Sequence, residues 1–309
     1  MEETINILKN ITSNKLGVIK TVTKLQGGIV NQTYKVVTEN GEFVVRINNI
    51  DQINIFKKEM YCYDVAKKSG IPSPEVIDLY EDGKQCYLIT KYIPGFSNKD
   101  IEKSKRTHVW RKLGEYSKLI SQVKELPYGE DAQDSEDAKL QYSKGMLDYA
   151  IKEFAKKDDY FVVNNLSNSG EVARFIELLN NLKGEIEYID FGLIHGDLTL
   201  SNVVLDENDT VYLIDWGSSN LLPTPEFQVM EIYLESILKE SFKSSYFVDF
   251  LRGHELDDNY IMKNIEVINS MSLLNYTDKI RWAIDKNKSE ALANYTDKLK
   301  KTKDQLLRF

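Results

Sequence analysis

The sequence predicts an α+β fold in which a small antiparallel sheet with one main helix is followed by a larger, mainly helical part. Segments 17–25 and 42–47 are rich in strand-forming residues, and Asn40-Gly41 is a strong two-residue hairpin signal. Along most of the later chain, apolar residues recur at helical spacing. We therefore expect two domains, residues 1–91 and residues 92–309.

Glycine and proline separate the elements expected in the first domain. A helical pattern runs from Asp51 to Ser69, with Gly70 as its stop. Ile71-Pro72-Ser73-Pro74 then breaks the chain before the next strand. The expected elements are a helix at 3–13, strands at 17–25, up to 37 and at 42–47, the helix at 51–69, and strands at 75–80 and 85–92.

The second domain is expected to hold helices and two short apolar strands, at 191–194 and 211–214, each of which runs into a polar turn. Residues 130–137 contain five carboxylates and no cation, a pattern typical of a solvated or substrate-facing loop. Helices are expected at 104–124, 138–157, 170–183, 226–242, 245–254, 257–274 and 277–307.

The charge of the chain is unevenly distributed. The net charge is −8, yet residues 1–91 carry 12 Lys and Arg against 11 Asp and Glu, so the excess of acid lies in the second domain. An acidic domain argues against a nucleic-acid partner, which requires a basic face. It favours a cationic small-molecule substrate, although a purely solubilising surface explains it equally well.

The sequence also bears on the cellular compartment of the protein and on its contact with membranes. No segment approaches the roughly 20 apolar residues that span a bilayer, and the acidic start Met1-Glu2-Glu3 does not resemble a secretory signal. Cys62 and Cys86 form no C-x-x-C motif and are interpreted as core thiols. The sequence therefore predicts a cytoplasmic protein without a membrane partner.

Three polar side chains follow the two central strands. Asp197 comes just after the first strand, Asn202 lies five residues later, and Asp215 ends the second strand. Mg²⁺ is usually held by one or two carboxylates together with phosphates. One carboxylate can accept a hydroxyl proton while the other binds the metal. Because H-x-D-x-x-x-x-N followed by D-x-G is the spacing of a kinase catalytic loop, the sequence predicts phosphoryl transfer.

The residues of these motifs resemble those of the aminoglycoside phosphotransferase and choline kinase superfamily. They are His195-Gly196-Asp197-Leu198 with Asn202, and then Asp215-Trp216. The resemblance implies a bilobal, protein-kinase-like fold, with a nucleotide-binding lobe at 1–91 and a catalytic and substrate-binding lobe at 92–309. It implies Asp197 as the catalytic base, Asn202 and Asp215 as magnesium ligands, and a structural role for His195.

The resemblance extends to the first turn of the sheet. Gly27, Gly28 and Asn31 fit the pattern G-G-x-x-N-x-x-Y of a choline kinase-like loop, and glycine there lets backbone amides approach phosphate oxygens. Arg46 occupies the position of the lysine that pairs with phosphates in most aminoglycoside phosphotransferases, and Glu59 the position of its carboxylate partner. Arginine suits this role because guanidinium stays charged and binds phosphate bidentately.

The resemblance also places the adenine-binding hinge at Thr90 to Tyr92, through backbone groups. It implies ATP as the phosphoryl donor with Mg²⁺, and leaves GTP open. Thr224-Pro225-Glu226 follows Asp215 too closely to leave room for an activation loop, which favours a small-molecule kinase over a protein kinase.

The expected reaction is transfer of the γ-phosphate to a hydroxyl of a small, cationic molecule. The H-G-D-L and D-W-G wording favours an aminoglycoside, and Arg46 with the glycine turn favours choline or ethanolamine. A nucleotide-binding protein without turnover is the alternative from another class. The acidic residues Glu226, Glu231 and Glu235, and the helix positions Asp278 and Trp282, could face a cationic substrate or simply belong to helix surfaces and core.

Overall fold

The computed structural model of the chain describes residues 16–25, 32–129, 132–154, 167–239, 242–257 and 259–306. The helix expected at 3–13 lies outside them. By packing, the chain divides into two compact units: the first is the chain up to Ile101 with Thr199–Ser219, and the second is Glu102–Leu198 with the chain from Asn220 onward. The functional division at residue 91 stays a prediction, because these units are defined by packing alone.

The first unit is built on a five-stranded antiparallel sheet. Its strands are β1 (Ile19–Lys24), β2 (Gln32–Thr38), β3 (Gly41–Asn49), β4 (Val76–Glu81) and β5 (Gln85–Lys91). Their order is β1-β2-β3-β5-β4. Side chains alternate across the strands, so that Val36, Val45 and Tyr87 are fully buried in one core. The predicted sheet is confirmed.

The hairpin between β2 and β3 is shifted by one residue from its sequence signal. Thr38 pairs with Gly41, so the two turn residues are Glu39 and Asn40 rather than Asn40 and Gly41. The Thr38 hydroxyl accepts a hydrogen bond from the Asn40 N–H at 3.1 Å. Gly41 instead starts β3 with a φ of +141°, a conformation that favours glycine.

One main helix accompanies this sheet, as predicted. The helix α1 (Ile53–Lys68) follows a short 3₁₀ turn at Ile50–Gln52, and Gly70, at φ +74°, ends it. The buried face of α1 includes Phe56, Cys62 and, among these apolar side chains, the carboxylate of Glu59. The free thiols Cys62 and Cys86 are both fully buried.

Two short strand pairs carry the central motifs. They comprise β6 (Phe191–Ile194), β7 (Val203–Leu205), β8 (Val211–Leu213) and β9 (Asn220–Pro223). In the first unit β7 pairs with β8, and in the second unit β6 pairs with β9. The two strands expected from the sequence therefore belong to different sheets. Each pairs with a three- or four-residue strand that is too short to show a periodic pattern.

The second unit is mainly helical. Its helices are α2 (Arg106–Ile120), α3 (Ser135–Leu140), α4 (Asp148–Phe154), α5 (Ser169–Glu185), α6 (Glu226–Leu238), α7 (Ser244–Gly253), α8 (Tyr260–Asp285) and α9 (Ser289–Leu306). A π-helical segment at Gln141–Leu147 joins α3 to α4. No helix in the described part of the chain is both long and apolar enough to cross a bilayer.

Two sequence expectations differ from these helices. The last break was expected near residue 275, but α8 continues to Asp285, and the chain turns where Asn287 adopts a φ of +52°. Residues 130 and 131 of the acidic loop expected at 130–137 lie outside the described residues. Within the rest, a helix begins early, because Asp134 caps α3 by accepting a hydrogen bond from the Asp137 N–H at 2.8 Å. Asp134 is an N-cap and its acidic neighbours form the first helical turn, where carboxylates are stabilising.

Candidate active site

A buried ion pair lies on the helix-facing side of the sheet in the first unit. Arg46, on β3, alternates with the core residues Val45 and Ile47 and therefore points to the opposite face, toward α1. Its Nη1 atom donates to Oε2 of Glu59, whose side chain is fully buried. Arg46 also lies over the ring of Phe56, with 5.6 Å between the guanidinium carbon and the ring centroid. The structure thus brings together the cation and the carboxylate that are thirteen residues apart in sequence.

The same arginine reaches the turn after β8. Its Nη2 atom lies 3.0 Å from Oδ1 of Asp215. The Asp215 N–H donates to the hydroxyl of Tyr63 at 3.3 Å, which ties the turn to α1. Asp215 has a left-handed backbone, with φ +63° and ψ +69°, and its side chain is half exposed. Arg46 therefore bridges one buried carboxylate and one solvent-accessible carboxylate.

Asn202 is hydrogen-bonded through its backbone to the residue that precedes this turn. It ends a 3₁₀ turn at Leu200–Asn202, is 8% exposed, and its carbonyl accepts the N–H of Ile214 at 3.0 Å. Ile214 directly precedes Asp215. The backbone of the β7–β8 pair thus links the two residues expected to bind magnesium.

The electrostatics of the cluster follow from burial and charge. Burial by itself lowers the pKa of Arg46, but the carboxylates of Glu59 and Asp215 outweigh it and hold that pKa above its ordinary value. Burial raises the pKa of Glu59, and the guanidinium of Arg46 only partly offsets this. Burial likewise raises the pKa of Tyr63. The folded chain thus encloses a carboxylate whose charge depends on Arg46.

Replacement of Arg46 by methionine is expected to destabilise the fold by about 3–5 kcal/mol at neutral pH, because Glu59 loses its cation in a buried position. A raised folded-state pKa means that the protonated carboxyl is favoured in the fold. The stability of Arg46→Met should therefore be greatest below the ordinary pKa of 4.5 and fall as pH rises through the folded-state pKa of Glu59. Urea unfolding between pH 5 and 8 measures this slope.

Lys68→Met is the matched control for that measurement. Lys68 pairs with Asp64 on the exposed surface of α1, and such pairs contribute little to stability. A loss of stability in Arg46→Met that is no larger than in Lys68→Met, or that does not depend on pH, contradicts the interpretation of the buried pair.

The chemistry of Asn202 and Asp215 suits magnesium. Both supply hard oxygen atoms, and Mg²⁺ is typically bound through one or two carboxylates plus phosphate oxygens. Among the described residues, no group of three or more His, Cys, Asp or Glu side chains could hold a metal on its own. A magnesium ion bound at Asn202 and Asp215 would therefore complete its coordination with oxygens from water or from a nucleotide.

The residue expected to be the catalytic base belongs to the second unit. Asp197 is exposed, and it follows the buried His195 and Gly196, which has a φ of +78°. The preceding strand β6 is fixed closely: the Leu193 N–H donates to the Val123 carbonyl at 2.9 Å. A side chain at Gly192 would overlap the Ser121 carbonyl oxygen. Packing therefore determines where the loop that carries Asp197 leaves the strand.

Two further charged residues in the second unit interact with Asp197. Burial raises the pKa of Glu231 on α6 to about 7, with Lys279 lowering it and Asp197 raising it. Burial lowers the pKa of Lys279 on α8, against the carboxylates of Glu231 and Asp197. The sequence singled out Glu231 by its helical spacing but gave no signal for Lys279, although Lys279 falls in the helix expected at 277–307.

Two of the remaining predicted site residues, Thr90 and Tyr92, lie at the end of β5 in the first unit. Thr90 is buried in β5, where it pairs with Val44 and Val76. The N–H of Tyr92 donates to the Glu42 carbonyl at 3.0 Å, so this amide is already used within the sheet. The hinge role of Thr90 to Tyr92 stays a prediction. Gly27, Gly28 and Asn31 lie outside the described residues.

The comparisons with known proteins identify the family. Residues 21–223 match the family model for the phosphotransferase enzyme family. The chain belongs to the phosphotransferase enzyme family. This confirms the superfamily expected from the H-G-D-L and D-W-G motifs and makes the protein a small-molecule kinase.

Solved structures support the fold of this phosphotransferase. It is similar to the aminoglycoside phosphotransferase APH(4)-Ia, at 16% identity and a TM-score of 0.65 over 98% of both chains. It is also similar to choline kinase LicA from Streptococcus pneumoniae, at 20% identity and a TM-score of 0.65 over 98% of this chain and 99% of the other. These similarities confirm the predicted α+β, kinase-like fold class.

A curated relative matches a shorter stretch of the phosphotransferase. The KEOPS complex subunit Bud32 from Pyrococcus abyssi is 41% identical over 64 residues, which are 21% of this chain and 27% of the relative. The match thus spans about a quarter of that relative's length.

Proposed function

We propose that this phosphotransferase moves the γ-phosphate of ATP to a hydroxyl of a small, cationic molecule, in the cytoplasm. The observation that carries the proposal is the cluster in which Arg46 bridges Glu59 and Asp215, with Asn202 in register beside it. A fixed cation next to a half-exposed carboxylate and an amide suits a magnesium-bound polyphosphate. APH(4)-Ia has been crystallised with ADP or AMP-PNP together with hygromycin B, which supports a nucleotide donor.

On the donor side, Arg46 pairs with phosphate oxygens while Glu59 fixes its orientation. By the family resemblance, Gly27, Gly28 and Asn31 would supply backbone amides to the phosphates, and Asn202 and Asp215 would hold Mg²⁺. When bound, the metal neutralises charge on the phosphates. Arg46 already holds Asp215 at 3.0 Å, so its guanidinium fixes the carboxylate before a nucleotide arrives.

On the acceptor side, Asp197 accepts the hydroxyl proton as the acceptor oxygen bonds to the γ-phosphorus. The bond between that phosphorus and the β,γ-bridging oxygen breaks, and ADP leaves with the electron pair. An exposed carboxylate suits this role because a bound alcohol can reach it.

The acceptor has two leading candidates. The residues of the H-G-D-L and D-W-G motifs favour an aminoglycoside, and APH(4)-Ia is an aminoglycoside phosphotransferase by name. An aminoglycoside acceptor would make the protein an antibiotic-resistance enzyme. Arg46 in place of lysine favours choline or ethanolamine, and LicA is a choline kinase by name. Both acceptor classes are cationic, in keeping with the acidic composition after residue 91.

A non-catalytic nucleotide-binding role is the competing proposal. It is favoured by the ion pair between Arg46 and Asp215, since that contact occupies both the expected phosphate-binding cation and the expected metal ligand. In this case nucleotide would bind without turnover, and Arg46→Lys would not produce phosphoryl transfer to any acceptor.

Release of ADP from magnesium ATP over a panel of acceptors separates these proposals. The panel contains aminoglycosides, choline, ethanolamine, fructosamines, macrolides and sugars, and GTP is compared with ATP as donor. We expect acceptor-dependent ADP release with at least one cationic alcohol. A nucleotide-induced rise in Tm without product from any acceptor supports the non-catalytic role instead.

A further inference from the structure

An open groove of about 650 Å³ lies within the first unit, beside the end of β5. Three segments form it: the chain that leads into β4, the chain that leaves β5, and the β7–β8 hairpin with its turn. We call it the β5–β8 groove, and it is lined by residues 73, 75, 91–96, 206–208 and 212.

The charged side chains of this groove are mostly acidic. Among the described residues that line it, the carboxylates of Glu75, Asp206 and Glu207 are accompanied by one cation, Lys91. Glu75, Glu207 and Lys91 are exposed, so an approaching molecule can reach their charges. The excess of acid favours a positively charged occupant.

Aromatic side chains supply the apolar part of the groove. Phe96 is 56% exposed, yet its backbone is fixed, because its N–H and its carbonyl both pair with Leu205 at 2.9 Å. Tyr92 and Tyr212 also line the groove. Aromatic residues are enriched at the centres of protein interfaces, where they supply much of the binding energy. Phe96 therefore has the properties of an anchor for a partner.

One of these rings already binds an ammonium group of the chain itself. The Nζ atom of Lys35 lies 3.7 Å from the centroid of the Tyr92 ring and 3.0 Å from the carboxylate of Glu42. A cation thus lies between an aromatic ring and a carboxylate at a residue that lines the groove. The carboxylates and rings of the groove offer the same combination to a cation from outside the chain.

The openness of the groove bears on the size of its occupant. Small-ligand pockets bury about 70–90% or more of the ligand surface. Most of the residues that line the β5–β8 groove are exposed, so it can cover only one side of a small molecule. An extended segment of a protein can instead lie along such a surface and place alternate side chains against it.

We propose that the β5–β8 groove is a docking surface for an extended segment of a partner protein in which arginine or lysine alternates with apolar residues. The basic side chains pair with the carboxylates of Glu75 and Glu207, and an apolar side chain packs on Phe96. This interaction goes beyond the proposed phosphoryl transfer and does not rest on it.

The docked segment and the expected metal ligands lie at opposite ends of one hairpin. Asn202 precedes β7 and Asp215 follows β8, whereas the groove includes the turn between these strands. Strands of three residues span about 10 Å. Docking therefore does not occupy the expected metal site.

The test measures the fluorescence anisotropy of three labelled peptides with the full chain. They are Arg-Leu-Arg-Leu-Arg-Leu, the charge-reversed Glu-Leu-Glu-Leu-Glu-Leu, and Arg-Gly-Arg-Gly-Arg-Gly, which lacks apolar side chains. Phe96→Ala removes the anchor, and Glu207→Lys reverses one charge. Tyr80→Ala and Glu81→Lys are the matched controls, because Tyr80 and Glu81 are exposed residues of β4 in the same unit and do not line the groove.

We expect wild type to bind the arginine–leucine peptide more tightly than either other peptide. Phe96→Ala should weaken this binding about tenfold or more, as for an aromatic anchor. Glu207→Lys should weaken it most at low salt, where charges are least screened. Both controls should bind the peptide as wild type does, and circular dichroism checks that all four variants fold.

Three results would overturn the proposal. The first is absence of binding of the arginine–leucine peptide, or binding that neither Phe96→Ala nor Glu207→Lys weakens. The second is displacement of the peptide by free arginine at equal concentration, which assigns the groove to small cations. The third is self-association of the chain that Phe96→Ala abolishes in sedimentation, which makes a second copy the occupant. None of these measurements depends on ADP release, so they are independent of the proposed function.

Discussion

Replacement of Asp197 by asparagine is expected to lower kcat by about 10²–10⁴-fold, the range typical of a removed general base. Asparagine keeps the size of the side chain but cannot take the hydroxyl proton. Because Asp197 is not proposed to bind the metal, the dissociation constant of magnesium AMP-PNP should stay within about twofold of wild type. Steady-state kinetics and nucleotide calorimetry on the same preparation measure both quantities.

Asp304→Asn is the control for this variant. Asp304 is an exposed carboxylate on α9, and its loss changes the net charge of the chain by the same amount. Equal losses of kcat in the two variants would indicate a general charge effect. Loss of nucleotide affinity in Asp197→Asn with kcat preserved would remove Asp197 from the role of base.

Replacement of Asp215 by asparagine is expected to weaken magnesium-dependent nucleotide binding. Partners behind a metal ligand already contribute about 10–100-fold to metal affinity, so a direct ligand should contribute at least as much. Binding of AMP-PNP without magnesium should change far less, or improve, because Arg46 is then released from its ion pair with Asp215. A magnesium titration at fixed AMP-PNP measures the difference.

Asp64→Asn serves as the control, since Asp64 lies in the same unit on the exposed surface of α1 and pairs only with a neighbouring lysine among the contacts described. It should leave the magnesium titration unchanged. If Asp215→Asn reduces kcat alone, and Asp197→Asn reduces magnesium-dependent binding alone, the assigned roles of the two carboxylates are reversed.

Much of the first unit could be predicted from local patterns. Alternating apolar residues define β2 and β3, and the helical pattern with Gly70 as stop defines α1 to within a residue or two. The pairing of Arg46 with Glu59 was expected only from the family resemblance, because the spacing of thirteen residues crosses from a strand to a helix. The structure gives that pairing a physical basis in the burial of Glu59.

Other features depend on contacts that a local pattern does not contain. The strands β7 and β9 have three and four residues, and their pairing rather than their composition makes them strands. The break after α8 lies at the turn where Asn287 has a positive φ, whereas the polar residues near position 275 lie inside α8, whose non-helical backbone falls earlier, at Asn264.

Position 215 joins a chemical requirement to a conformational one. At φ +63° most side chains are strained, while Asp, Asn and Gly are tolerated. Glutamate would preserve the negative charge, but its backbone would be strained at this φ. The replacements that the backbone accepts without cost are therefore those that delete the carboxylate. A relative with asparagine or glycine at this position should therefore keep the fold and lack the proposed metal ligand.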